Sequence, residues 1–382
     1  MANNDSPFAE LPAALVEEVL DQTSAVAEEL LSSFQEIRVN RESLRRSLTD
    51  AEIVISESSL GYPPLPTTCG ADGSYAIERL LTTDLAAAAA VAVEGLTPPS
   101  EKRHWERPYH RTFVSAEPHL EDTATVLRAL MLGEELRLAT AAPHDLVMLD
   151  GTLTLPIIYF NQALNKAPET TQLRCSREFV EHCIEYLEAY RNILRNERSD
   201  KYYAALPKYS TRREIGTILG WPKERDDRGM LTLLLNPGEL TKPRPLEQPS
   251  QEWHLNTGRL SSSQKGRADE LADEIVAGLG RVHVFYYKPH EWLPALRVEV
   301  AESVATNAHR LGTVVHGLKH QCATPSMLEP YPVYLADRTV KALARALPAF
   351  RQVTTQRISE KYEGEIGDVF FAMHGYRSDT GR

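Results

Sequence analysis

At 382 residues, 42% hydrophobic and 25% charged, the chain is long enough for one elaborated domain or two ordinary ones around a large core. Its net charge of −11 excludes a protein that coats nucleic acid with its whole surface, and no uninterrupted apolar run is long enough to span a bilayer. Four scattered cysteines without a Cys-x-x-Cys pair argue against a zinc or disulfide framework, and an N-terminus without signal-peptide features points to a reducing cytoplasm.

Residues 12–48 read as one helix. Leu15, Val16, Val19, Leu20, Val26, Leu30, Leu31 and Phe34 recur at helical spacing among glutamates, and no proline interrupts after Pro12. This arm, residues 1–55, suits packing on its own domain or on a twin chain, and residues 56–382 read as the main domain. The Pro-rich stretch 62–66 leads into Gly70-Ala71-Asp72-Gly73-Ser74, which reads as an Asp-Gly turn. Between Asp84 and Gly95, five consecutive alanines favour helix, whereas Ala90-Val91-Ala92-Val93 alternates as a strand would; the local pattern leaves both open. A short strand at 112–116 and a helix over 120–142 precede an apolar strand at 145–149. That strand ends in a second Asp-Gly turn, Leu149-Asp150-Gly151-Thr152-Leu153.

A long amphipathic helix follows over 175–197, then a strand at 202–206 and helices near 211–219 and 227–235. Residues 241–265, rich in Pro, Gln, Ser and Lys, read as a long loop or insertion. A helix at 268–279, strands at 282–288 and 296–300, and a closing helix beginning in 331–337 complete the chain. Strands and helices interleave from end to end, so the expected class is an α/β layered domain.

The chemistry gathers at the two Asp-Gly sites. A carboxylate at the end of a buried strand, beside a glycine that admits a close neighbour, suits a hard divalent cation such as Mg²⁺ or Mn²⁺. Either site alone reads more readily as a plain turn than as a metal site. Asp72, Asp150 and a helix glutamate, Glu134 or Glu135, together form a common way to hold two ions on a mixed sheet, the cations relieving the mutual repulsion. Basic strips at 102–111 and 208–213 offer local phosphate contacts on an acidic protein, although a charged strip is commonly only a solvated face.

Taken in register, Asp72-Gly73-Ser74-Tyr75, the helix at 127–139, residues 145–153, 208–214, 226–230 with 235–239, 285–288 with 297–299, and 331–338 resemble the NurA family of DNA-end-processing nucleases from about 70 to 345. The resemblance implies an RNase H-like mixed sheet flanked by helices, a homodimer, and DNA cleavage with Mn²⁺ or Mg²⁺, two ions being expected. It also implies a HerA-type hexameric ATPase as partner, in DNA end processing, repair or defence against invading DNA. The family's aspartates fall on Asp72 and Asp150 and its glutamate on Glu135 or Glu134. Its late metal-site position, often histidine, falls on Asp337, which can ligate only through oxygen. Lys208, Arg212 and Arg213 fall where cations could hold a DNA phosphate, Arg297 and Glu299 where an ion pair would lie near the site, and Tyr331 where it would orient a ligand or pack. No Gly-x-x-x-x-Gly-Lys-Ser/Thr loop is present, so ATP hydrolysis falls to a partner. Two rivals stand beside this reading: a non-catalytic dimeric adaptor for a ring ATPase, and an RNase H-like hydrolase acting on RNA. Retention of both aspartates weighs against the adaptor, and nothing in the chain reads a 2′-hydroxyl.

Overall fold

The computed structural model describes residues 11–381. Two units are distinguished, one through Ile53 and one from Val54. The first is built on α1 (Ala13–Asp50), 38 residues without a glycine or proline and therefore unbroken for about 57 Å. Its Leu15, Val19, Val26, Leu30 and Phe34 are exposed.

The second unit is organised by one mixed sheet. In chain order it runs β1 (Val54–Ser56), β2 (Thr68–Leu80), β3 (Asp84–Glu94), β4 (Tyr109–Glu117), α2 (Thr123–Ala141), β5 (Leu146–Asp150), α3 (Leu155–Lys166), α4 (Arg174–Glu181), α5 (Cys183–Arg195) and β6 (Tyr202–Leu206). It continues with α6 (Gly216–Leu219), α7 (Asp227–Leu234), β7 (Glu239–Thr241), β8 (Arg244–Pro245), α8 (Ser262–Leu279), β9 (Val282–Lys288), β10 (Leu296–Ala301), α9 (Glu302–Ala305), α10 (Ala308–Gln321), α11 (Tyr331–Ser359), α12 (Ile366–Ala372) and β11 (Gly375–Gly381). The strand order is β1-β7-β9-β10-β6-β5-β2-β3-β4, with β11 added beside β2 and β8 beside β9. An antiparallel meander, β2–β3–β4, continues into β5 and β6, each parallel to its neighbour. This is the RNase H-like mixed sheet that the resemblance implies.

Long-range pairing overturns one local expectation and decides one choice that the local pattern left open. Asp72-Gly73 is no turn: both lie inside the 13-residue β2, opposite Val91 and Ala90 of β3. The alanine-rich segment is β3, buried at every position. Intrinsic propensity is a weak prior, and side chains this small let helical layers approach the sheet on both sides. The helix expected over 175–197 is two helices, α4 and α5, broken at His182. Residues 241–265 hold the end of β7, the short β8 and the start of α8 as well as loop.

Side chains alternate across the sheet. Leu146 and Met148 of β5 pack with Val314 and Leu318 of α10 and Val333 of α11 on one face. On the other face of β2, Gly73 looks toward Met131 of α2. The helical layers on the two faces are thus α10 with α11, and α2.

Candidate metal centre

Three carboxylates come together where β2 and β5 run side by side. The parallel register sets Ala71 opposite Leu149 and Asp150 opposite Leu206, so Asp72 and Asp150 fall in adjacent places at the carboxyl end of β5. Asp337 joins them from α11. A Cβ on Gly70 would stand 2.5 Å from the backbone of Pro332 and Val333, so only glycine lets the first turn of α11 lie this close to β2. Helical spacing from Val333 carries Asp337 over Asp72. One oxygen from each of Asp72, Asp150 and Asp337 lies within 4.8 Å of the others.

A fourth carboxylate approaches through a second glycine. A Cβ on Gly73 would fall 2.7 Å from Met131 Cγ and 3.3 Å from Glu135 Oε2, so the missing side chain is what admits α2. Glu135 is buried, and the charges of Asp72 and Asp150 act on it. Glu134 turns elsewhere, to Arg137 at 3.1 Å, Arg111 at 3.3 Å and the Tyr186 hydroxyl at 2.8 Å. Of the two glutamates, Glu135 is therefore the one that lies beside the aspartates, and Glu134 is paired away from them.

The electrostatics are those of anions gathered in a low-dielectric place. Burial, then the charges of Asp150 and Asp337, push the Asp72 carboxyl up to about 8, against the opposing pull of the Gly73 N–H and Lys208. Burial and the same kind of crowding hold Glu135 well above the usual carboxylate range. Asp72 Oδ1 accepts the Gly73 N–H at 2.8 Å, while Oδ2 is buried and accepts no hydrogen bond from the described residues. A buried carboxylate oxygen left bare among other carboxylates is a place for a cation. The donor set is all carboxylate oxygen, which fits a hard divalent ion.

Lys208, just beyond β6, reaches this cluster, with Nζ 2.9 Å from Asp150 Oδ2 and 3.7 Å from Asp337 Oδ1. It also lies 3.0 Å from Glu329 Oε2. Burial pushes the Lys208 ammonium down, but Asp150 and Glu329 outweigh it and hold the group above its ordinary value. Lys341 pairs with Asp337 at 2.6 Å from one helical turn on. Glu329 escaped the sequence reading; its only signal was its place directly before the Pro-Tyr-Pro that opens the helix of Asp337. Arg212 and Arg213 are engaged elsewhere. The Arg212 guanidinium donates to the Glu247 carbonyl, and that of Arg213 to the carbonyls of Trp221, Pro222 and Arg225. Tyr331 opens α11, half-buried.

A buried network supports the Asp150 turn. Glu299 Oε2 accepts the Thr152 hydroxyl at 2.6 Å and the Leu153 N–H at 2.9 Å. Arg297 donates to Glu299 at 3.3 Å, but its main partner is Glu214, bound through two parallel bonds of 2.7 and 2.8 Å. The Tyr286 hydroxyl, 2.6 Å from Arg297, completes the set.

A mixed sheet with convergent carboxylates at the junction of its parallel strands is an arrangement that can hold a divalent metal ion. The family model of the NurA domain matches residues 66–342, and the chain belongs to the NurA family. Among solved structures, the NurA nuclease from Sulfolobus solfataricus superposes with a TM-score of 0.53 at 14% identity, over 89% of this chain and 99% of that one. A NurA structure with manganese gives 0.52 at 13% identity over 90% and 99%, and a further NurA structure gives 0.51 at 14% over 92% and 99%. At such identities the likeness establishes the fold alone. No curated protein matches the chain significantly.

Proposed function

We propose that this nuclease cuts DNA with Mn²⁺ or Mg²⁺ held by Asp72, Asp150 and Asp337, with Glu135 completing the cluster. The observation that carries the reading is the meeting of three aspartate oxygens, from β2, β5 and α11, with a buried Asp72 oxygen that accepts no hydrogen bond from the described residues. The manganese in a NurA structure of the same fold supports the choice of metal. When bound, a divalent ion supplies an activated water and stabilises the leaving oxygen of the phosphodiester. The chain's own residues do the rest. The Glu299 bonds to Thr152 and Leu153 fix the turn that aims Asp150. Gly73 pairs with Ala90, and Ala90 with Arg111, so Arg111 stands about 10 Å from Gly73 on the same face. There it opens the basic strip 102–111 as a path for the phosphate backbone, with Lys208 on the opposite side of the cluster.

Residues 56–382 form the nuclease domain in this reading and the first 55 an arm. Family membership supports a homodimer working with a HerA-type hexameric ATPase in DNA end processing, whether for repair or defence, and the sequence holds no phosphate loop of its own. All four cysteines are free thiols, in line with a cytoplasmic protein, and no helix among the described residues is long and apolar enough to cross a membrane. The test is digestion of end-labelled duplex DNA, single-stranded DNA and RNA in Mn²⁺, Mg²⁺ or EDTA, beside Asp72→Ala and Asp150→Ala, with and without the ATPase. Metal-dependent DNA cleavage lost in both folded variants is the expected result. No cleavage under any condition would shift the reading to the adaptor, and preferential loss of RNA to the RNA hydrolase.

A further inference from the structure

We propose that the Lys208 ammonium occupies the second cation position of this site in the DNA-free protein, so that one divalent ion binds until a DNA phosphate draws the lysine away. The inference rests on the metal-dependent reading above and concerns how the site is loaded. Its two halves are unequal. On the Asp72 side, a buried carboxylate oxygen accepts no hydrogen bond from the described residues. On the Asp150 side, Lys208 Nζ bridges Asp150 Oδ2 at 2.9 Å and Glu329 Oε2 at 3.0 Å. These two carboxylates come from unrelated places, the end of β5 and the segment before α11, and the ammonium is what allows them to face one another.

A single positive charge on a flexible stem is a replaceable tenant. The Lys208 side chain is one-third exposed, so it can leave without unfolding its surroundings. A divalent ion brings twice the charge to the same two oxygens, but must displace the ammonium to reach them. A phosphodiester passing the cluster offers the ammonium another anion, and the vacated oxygens then suit the second ion. DNA and the second ion would thus enter together, leaving the idle enzyme half-loaded.

The experiment is Mn²⁺ titration of the full-length protein by calorimetry and by the EPR signal of free Mn²⁺, for wild type, Lys208→Met and Lys208→Arg. Without DNA the wild type should bind one ion per chain, Lys208→Met two, and Lys208→Arg, which keeps the charge, one. A non-cleavable phosphorothioate oligonucleotide should raise the wild-type number from one to two. Adding Glu329→Gln to Lys208→Met should return it to one. Should Lys208→Met fail to fold by circular dichroism, Lys208→Gln takes its place with the same expectation. Two ions in DNA-free wild type, or one in the folded Lys208→Met protein, would overturn the inference and leave the nuclease reading standing. No Mn²⁺ bound by any form would overturn both.

Discussion

Replacing Asp72 by asparagine should make the metal-free protein more stable while abolishing its response to metal. The Asp72 carboxyl, pushed up to about 8 by burial and by Asp150 and Asp337, has a folded-state pKa well above its unfolded value near 4. A group shifted upward in this way stabilises the fold fully only below about pH 4, and that contribution is lost as pH rises toward 8. At pH 7 the loss amounts to about 4 kcal/mol, since the carboxyl must stay protonated against solution or ionise among its neighbours. Asparagine keeps an oxygen for the Gly73 N–H and carries no charge. With an unfolding entropy of about 0.7 kcal/mol/K for a unit of this size, Asp72→Asn should melt about 6 °C above wild type in EDTA at pH 7. The gap should close as pH falls toward 4, where both side chains are neutral. Saturating Mn²⁺ should raise the wild-type melting temperature and barely move the variant. Differential scanning calorimetry across pH 4–8 makes the measurement. An Asp72→Asn protein that melts at or below wild type at pH 7 in EDTA would refute the crowded-carboxylate picture.

Three further outcomes follow from the same geometry. Glu135→Gln should lower Mn²⁺-dependent cleavage by about 100-fold or more, whereas Glu134→Gln, paired away from the aspartates, should cost less than about tenfold; single-turnover rates separate them. Arg297→Leu strands Glu214 and Glu299 without their buried partner, and should destabilise the protein by about 3–5 kcal/mol in chemical denaturation, with or without metal. Mn²⁺ affinity should rise by up to about tenfold per pH unit between pH 6 and 8, where the binding ion must displace the Asp72 proton into the buffer, then level off. Calorimetry in buffers of different ionisation enthalpy reads that proton, and a flat pH profile would contradict the assignment.

What the sequence disclosed follows from which signals are local. The hydrophobic strand ending at Asp150, the strand 202–206 and the helix carrying Glu135 are periodic or apolar runs, and each lies within a few residues of its expected place. Asp72 was legible as a carboxylate beside a glycine, but for the wrong reason. Asp-Gly is turn chemistry, and only pairing of Asp72 with Val91, 19 residues on, makes it the middle of β2. Gly73 matters because a helix crosses above it, a fact held by Met131 and Glu135 rather than by its neighbours in sequence. Alanines 86–90 left helix and strand undecided for the related reason that a doubly covered strand selects small side chains irrespective of their helical preference. Arg213 shows the opposite failure: a basic run promised phosphate contacts, yet the guanidinium holds the 221–225 loop. Glu329 could not be found by pattern at all, since a lone acid before a proline gives no hint of the lysine 121 residues away that it meets.

The central claim is that Asp72, Asp150 and Asp337 hold the divalent ion on which cleavage depends. Anomalous diffraction from Mn²⁺-soaked crystals, collected on both sides of the manganese absorption edge, tests it most directly. A manganese peak within coordination distance of all three carboxylates is expected in wild type, and none there in the Asp150→Asn protein. A manganese peak elsewhere, or one that survives loss of Asp150 unchanged, would contradict it.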